Sequence, residues 1–316
     1  MQANREVMRT TTMYTQLLFH DINVNTPACC LLAIVCRYLN EEYLKQLYYW
    51  PQSRGGGSVG VSTHVSIITQ ILAEVFKVMD VSKAQGDEPH NFALQDVMYK
   101  ERVMSSLIQA VDYMDMAFWA APFAIMTKLI NCSQQFVRMF VDDGGFQNNR
   151  IQRAIDAQRA NGGLISDVLS ILSQLARMSK EFYPHIHNAD LYDAFEILIN
   201  QGEKELRSKM CTLIGNLCKH SAYFYEPLAQ HHIIEGLIEC CSDFDMYTQK
   251  FAAFAVGNAA FHNDYLYTHL QPVIPALIKL LESSDEKTRQ NATGALSNFV
   301  RNSGFMIDKL IDFHAP

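Results

Sequence analysis

An asparagine that returns on a fixed schedule limits what this chain can fold into more than any other feature. "IGNLCKHS" begins at Ile214, "VGNAAFHN" at Val256 and "LSNFVRNS" at Leu296, so the Asn recurs at positions 216, 258 and 298. Residues 237–263 laid over 277–303 at an offset of 40 pair Leu237 with Leu277, Asp245 with Asp285, Thr248 with Thr288, Ala255 with Ala295 and Asn258 with Asn298. At an offset of 42 the preceding unit aligns as well, Gly215 with Gly257, Asn216 with Asn258 and Leu228 with Leu270. One unit further back, "LSILSQLARMS" (169–179) puts Gln174 in the Asn place.

Nearly every long segment has helical periodicity and alternating strand patterns are scarce. A period near 40 with helix-only content is the signature of armadillo or HEAT repeats. The expected fold is therefore all-α, an armadillo/HEAT-like α-solenoid. Each unit divides into a short first helix, a second helix and a long third helix. In the last full unit the second helix starts at "PVIPALIKLL", with prolines where missing N–H groups cost least. Ser284 or Asp285 is placed to cap its third helix, and Asp243 or Asp245 the one before. Ala252, Ala255, Ala259, Ala292 and Ala295 leave room for helices to approach closely. A buried Leu or Ile contributes about 1.5–3 kcal/mol, but only once the next unit covers it, so a single unit is not expected to fold alone.

This pattern assigns residues 120–316 to the repeats, with units near 120–179, 180–221, 222–263 and 264–303 and a truncated end at 304–316. Residues 1–119 form a helical region without a clear repeat. There "TPACCLLAIVCRYLNEEYLKQLYYW" (26–50) reads as a helix or helix pair, and "THVSIITQILAEVFKVM" (63–79) as a helix. The glycine-rich "SRGGGSVG" (53–60) and the polar "SKAQGDEPHN" (82–91) read as loops, and 92–119 as one or two helices. "FAIMTKLINC" and "QQFVRMFVDDGG" form a further pair before a polar stretch around 147–163. "IDKLIDFHAP" (307–316) stops as another unit would begin, so the chain is expected to be part of something longer.

Several function classes find no support. Net charge is -7, which argues against a nucleic-acid backbone as partner. No continuous 18-residue apolar run suggests a membrane span, and the N-terminus lacks the order of a secretory signal. The glycines of "RGGGSVGV" are not framed by strands; VAIK-like, HRD, DFG and Walker A patterns are all missing, so no catalytic residue and no cofactor-binding residue is assigned. The 8 cysteines form no CxxC pair, and a reducing, cytoplasmic setting is the simple reading. His220 and His262 hold equivalent repeat places four residues after the Asn, which accounts for them without a metal. Cys211 and Cys218 are expected to pack in the core. The tyrosines of "SAYFYEP" (221–227) and "NDYLYTH" (263–269) are read as staples of the inter-repeat turn.

The Asn positions, with Gln174, Asn216, Asn258 and Asn298 as the candidate polar ladder, carry two readings. Each amide could bond the backbone of a neighbouring helix, satisfying a buried polar group. Alternatively the ladder could line a groove and bond the backbone of an extended partner peptide. Armadillo proteins of the latter kind commonly place Trp four residues before the Asn; here those places hold Thr212, Phe254 and Gly294, which favours the first reading.

"GNLCKHSAYFYEPL", "KFAAFAVGNAAFHNDYLY" and "KTRQNATGALSNFVRNS" resemble the C-terminal armadillo-like region of the Fused family of serine/threonine kinases. "LSILSQLARMSKEFYPHIHNADLY" (169–192) resembles that family's preceding repeat. The resemblance implies a non-catalytic protein-interaction scaffold. Full-length Fused proteins carry an N-terminal kinase domain and act in Hedgehog signalling or in building the central apparatus of motile cilia, and a plant relative acts in cytokinesis. No position here matches the kinase motifs. The implied partners are other proteins, signalling or ciliary components, with no cofactor, metal or small-molecule substrate. The implied location is cytoplasmic and ciliary or axonemal. An alternative is a transport-receptor-like armadillo protein binding extended peptides.

Overall fold

The computed structural model describes residues 25–84, 88–156, 161–302 and 304–312. Helices and short 3-10 turns account for its regular structure, with no strand among the described residues. Two compact units divide it, residues 1–150 and 151–316, whereas the repeat pattern alone draws its line at 119/120.

The first unit contains α1 (Asn25–Arg37), α2 (Glu41–Tyr49), α3 (Gly57–Ala84), α4 (Glu88–Lys100), α5 (Val103–Ala110), α6 (Ala120–Cys132) and α7 (Gln134–Asp142). α8 (Arg150–Ile155) begins at its last residue. Segment 26–50 is thus a helix pair, broken where Asn40 caps α2 through a bond from the Glu42 N–H at 2.9 Å. α1 packs on α4 and α3 on α6. Buried Leu72, Val75, Phe123, Ile125 and Leu129 belong to this core.

Two loop expectations are corrected here. The glycine stretch 53–60 is half helix: a 3-10 turn at Gln52–Arg54 leads into Gly55 at φ +83°, and α3 starts at Gly57. A Cβ on Gly60 would sit 2.0 Å from the Gly55 carbonyl oxygen, so lack of a side chain lets the turn fold back over the first helical turn. Segment 82–91 is also largely helical, since α3 runs to Ala84 and α4 starts at Glu88, with 85–87 outside the described residues. Pro89 stands near that start, where a missing N–H is tolerated.

Segment 52–80 is long and apolar enough to cross a membrane by length and composition, although it has no uninterrupted apolar run. Half of an 18-residue apolar window within it is buried. Val61, Val65, Ile68, Leu72 and Val75, spaced three or four apart, form that inward face.

The second unit contains α9 (Gly162–Met178), α10 (Tyr183–Asn188), α11 (Tyr192–Gln201), α12 (Lys204–Leu217), α13 (Tyr225–Gln230), α14 (Ile233–Cys240) and α15 (Met246–Ala259). α16 (Tyr267–Leu270), α17 (Ile274–Leu280), α18 (Glu286–Asn302) and α19 (Gly304–Asp312) complete it. Three successive units follow the expected order of short first, second and long third helix. The third helices α9, α12, α15 and α18 pack side by side in chain order. Ala252, Ala255, Ala259, Ala292 and Ala295 are fully buried between them, which is why small residues recur there. Asp245 and Asp285 are the caps, accepting the N–H of Thr248 at 2.9 Å and of Thr288 at 2.8 Å. Both threonine hydroxyls donate to the same carboxylates and are buried.

Candidate functional site

The third-helix face is organised by an old difficulty of helices. The last four carbonyls of any helix have no partner within it. In α12 and α15 some of those carbonyls face the third helix of the next unit. Side chains from neighbouring helices serve them.

Asn258 Nδ2 donates to the Gly215 carbonyl near the end of α12 at 2.7 Å. One unit on, Asn298 Nδ2 donates to the Gly257 carbonyl at 2.9 Å. Asn216 makes the corresponding reach toward α9, where it meets the Ser173 hydroxyl at 2.8 Å. Gln174 lies outside this pattern: its Oε1 accepts from Arg177 Nε on its own helix at 2.9 Å. Asn258 and Asn298 therefore share one bond to a helix-end carbonyl, Asn216 reaches the preceding helix through a hydroxyl instead, and the fourth place stays on its own helix. Asn216 is 5% exposed, and Asn258 and Asn298 are half-buried.

A second set of donors comes from tyrosines on the first helices. Tyr183 OH donates to the Asn216 carbonyl at 2.9 Å, Tyr225 OH to the Asn258 carbonyl at 2.8 Å, and Tyr267 OH to the Asn298 carbonyl at 2.7 Å. Two of these hydroxyls also accept the N–H four residues past the Asn, from His220 and His262. The His rings reach back one unit in turn, His220 Nε2 lying 3.0 Å from the Arg177 carbonyl and His262 Nε2 3.2 Å from that of Cys218. Burial pushes the Tyr183 hydroxyl up to about 12, so it stays protonated and able to donate throughout the physiological range. The sequence reading singled out Tyr225 and Tyr267 as turn staples but did not tie them to the Asn carbonyls. The signal was present, since Tyr183, Tyr225 and Tyr267 stand 42 residues apart.

The remaining histidines and cysteines make separate contacts. His187 Nδ1 meets Tyr192 OH at 2.5 Å, and His231 stacks on Tyr192 with ring centroids 4.7 Å apart. Among the described residues no three His, Cys, Asp or Glu side chains converge as a metal site would require. Cys211 and Cys218 are fully buried, and burial pushes both thiols well up.

One ion pair braces the ladder from the side. Arg207 Nε donates to Asp243 Oδ2 at 2.8 Å, and its Nη1 to the Gly202 carbonyl at 2.6 Å, tying α12 to the turn before α15. Burial pushes the Asp243 carboxyl up, but the Arg207 hydrogen bond and the N–H of Asp245 outweigh it, leaving the group below the usual carboxylate range. A depressed folded value means stability that is present above the unfolded value, about 3.9, and lost as pH falls through the lower folded one. Urea midpoints of wild type and Asp243→Asn should therefore differ at pH 7 and converge as pH falls below about 3.9. A gap that stayed constant would remove Asp243 as the titrating group.

Along the outer side of this ladder runs a stripe of accessible positions spaced three or four apart, one face of each helix. It comprises Lys209, Thr212 and Lys219 on α12 and the turn after it, with Asn216 buried between them; Lys250, Phe254, Asn258 and Phe261 follow on α15, then Gly294, Asn298 and Arg301 on α18. The Oδ1 atoms of Asn216, Asn258 and Asn298 accept no hydrogen bond from a described residue. The rungs at Asn258 and Asn298 thus each have one amide end fixed to protein and one acceptor available to something else.

A family model described as HEAT-like repeat matches residues 246–299. Serine/threonine-protein kinase TIO of Arabidopsis thaliana is 30% identical over 89% of this chain, and the chain spans 23% of its length. Serine/threonine-protein kinase 36 of Pongo abelii is 25% identical over 85% of this chain, which spans 20% of that protein. The chain thus spans under a quarter of these relatives. Among solved structures, a designed armadillo repeat protein in complex with peptide (KR)4 superimposes with TM-score 0.59 at 15% identity, covering 85% of this chain and 99% of that one. Computationally designed armadillo repeat proteins for modular peptide recognition give TM-score 0.58 at 14% identity, with 91% and 98% covered. These likenesses establish the armadillo-like fold.

Proposed function

Because the chain is homologous to a segment of the Fused-type serine/threonine kinases, we propose that it is that segment's non-catalytic scaffold and binds extended stretches of other proteins along its third-helix face. The observation that carries the proposal is the ladder itself, in which Asn258 and Asn298 are each fixed by one amide end and hold one acceptor toward the accessible stripe. An extended peptide offers backbone N–H groups at regular intervals, which is the complement such a row requires. Two of the structural neighbours are titled for peptide complexes or peptide recognition, which supports the same mode. The names of the relatives support a parent protein with serine/threonine kinase activity elsewhere in its length. In that setting the scaffold would gather components of a Hedgehog-type signalling complex or of the motile-cilium central apparatus, in the cytoplasm or the axoneme.

The test separates the face from the ladder's structural work. Thr212→Tyr combined with Gly294→Tyr fills the stripe with uncharged bulk, and nothing lies within 4 Å of a Cβ added at Gly294. Selection from a displayed random-peptide library should enrich binders on wild type and lose them on this variant, at unchanged helicity. Equal enrichment on both would discard the face as the binding surface. Asn258→Ala should act differently, lowering stability by about 1–3 kcal/mol because the Gly215 carbonyl is left without a donor.

A further inference from the structure

The accessible stripe carries one sign of charge. The place three residues after each ladder position holds Arg177, Lys219, Phe261 and Arg301 in successive units. Arg177, Lys219 and Arg301 are exposed, and the Arg301 guanidinium lies 4.3 Å from the centre of the Phe261 ring, so the aromatic place is itself covered by a cation. On the other side of the ladder stand Lys209, whose Nζ donates to Ser170 Oγ at 2.9 Å, and Lys250, whose Nζ lies 4.6 Å from the centre of the Tyr247 ring. None of these five cations forms an ion pair with a described residue. No Asp or Glu occurs in 168–178, 210–220, 252–262 or 292–302, the stretches that carry the ladder. The acidic residues of these helices, Asp167, Glu205 and Glu286, lie in their N-terminal portions.

Cations near helix C-termini complement the helix dipole, and Lys219 Nζ does donate to the Arg177 carbonyl at 3.1 Å. That contact does not account for a row lacking every carboxylate in a chain whose net charge is -7. Lys250 feels the Asp285 carboxylate, but the like charges of Arg177, Lys219 and Arg301 on one face repel one another, and an anionic partner relieves that repulsion.

We infer that the segment bound on this face is acidic, an extended peptide whose Asp or Glu side chains meet Arg177, Lys219 and Arg301 while its backbone N–H groups meet the Oδ1 atoms of Asn258 and Asn298. This rests on the binding face proposed above and adds the chemistry of its occupant. Neighbouring packed helices lie about 8–10 Å apart and an extended chain rises about 3.3 Å per residue. One acidic residue in about every three therefore keeps step with the units. This preference is opposite in charge to the (KR)4 peptide of the designed neighbour.

Fluorescence anisotropy with labelled poly-(Asp-Ala-Ser), its uncharged poly-(Asn-Ala-Ser) counterpart and (KR)4 tests this directly. Wild type should bind the acidic probe at least about tenfold more tightly than either other, with affinity falling as salt rises. Arg177→Glu, Lys219→Glu and Arg301→Glu together should abolish that preference and favour (KR)4, with the far-UV spectrum unchanged. Equal binding of acidic and uncharged probes by wild type, both lost in the Thr212→Tyr, Gly294→Tyr variant, would overturn the acidic partner and leave the face standing. Acidic-probe binding that survives both variants would overturn both.

Discussion

Replacing Arg150 with methionine is expected to destabilise the first unit by about 3–5 kcal/mol. The Arg150 side chain is 7% exposed and holds three parts of the chain together. Its Nη2 and Nε grip the Asp112 carboxylate at 2.6 and 3.0 Å, and its Nη1 reaches the Gly144 carbonyl at 2.5 Å. Asn148 Nδ2 adds a third donor to Asp112 at 2.9 Å. Methionine matches much of the bulk but leaves the carboxylate and the carbonyl short of donors, and an orphaned charge dominates the loss. Adding Asp112→Leu to Arg150→Met should recover much of it, because the charge then goes with its partner. Urea unfolding of both variants gives the answer. A single-variant loss below about 1 kcal/mol would mean that water takes over the solvation of Asp112, whose side chain is 27% exposed.

Gly215→Leu should be the most damaging single change within the ladder, about 2–4 kcal/mol from overpacking and a strained rung together. A Cβ at this place would lie 2.4 Å from the Phe254 ring and 3.2 Å from the Ala255 Cα. The ring could rotate, but backbone on the facing helix cannot yield without moving α15 away from α12. That movement stretches the 2.7 Å bond from Asn258 to the Gly215 carbonyl. Gly294→Leu is the control: its Cβ meets nothing within 4 Å, so stability should hold or rise slightly. Equal thermal midpoints for Gly215→Leu and wild type would show that the two helices have slack.

The repeats were legible because their constraints are periodic. Ala at close approaches, Asp at caps and Asn at the rungs each answer a need that recurs with every unit, so self-comparison of the chain exposes them together. The pairing of the Asn amide with a neighbouring backbone was one of the two readings open from sequence, and geometry now specifies its acceptor. The tyrosine partners were half visible: their spacing was regular, but only folded helices show that Tyr225 and Asn258 meet, 33 residues apart. The first unit offered no such handle. α3 extends over 28 residues against 14 for α12, and its start was obscured because glycines that permit a tight backbone approach also look like a loop. Arg150 was hidden for another reason, since an arginine in a polar stretch gives no hint of a carboxylate 38 residues away. The basic row came to light only when equivalent places of several units were laid side by side on an accessible stripe.

The rung bonds also govern how a gene for such a chain can change in length. Asn258 reaches back 43 residues and Asn298 reaches back 41, each to the carbonyl just before the previous Asn. A whole unit copied in tandem arrives with its own donor and presents its own acceptor, so both junctions close as before. An insertion of any other size within a third helix puts the donor of the rung that spans it opposite the wrong carbonyl. Such arrays are therefore expected to grow and shrink by entire units, and smaller insertions to be confined to the turns between helices.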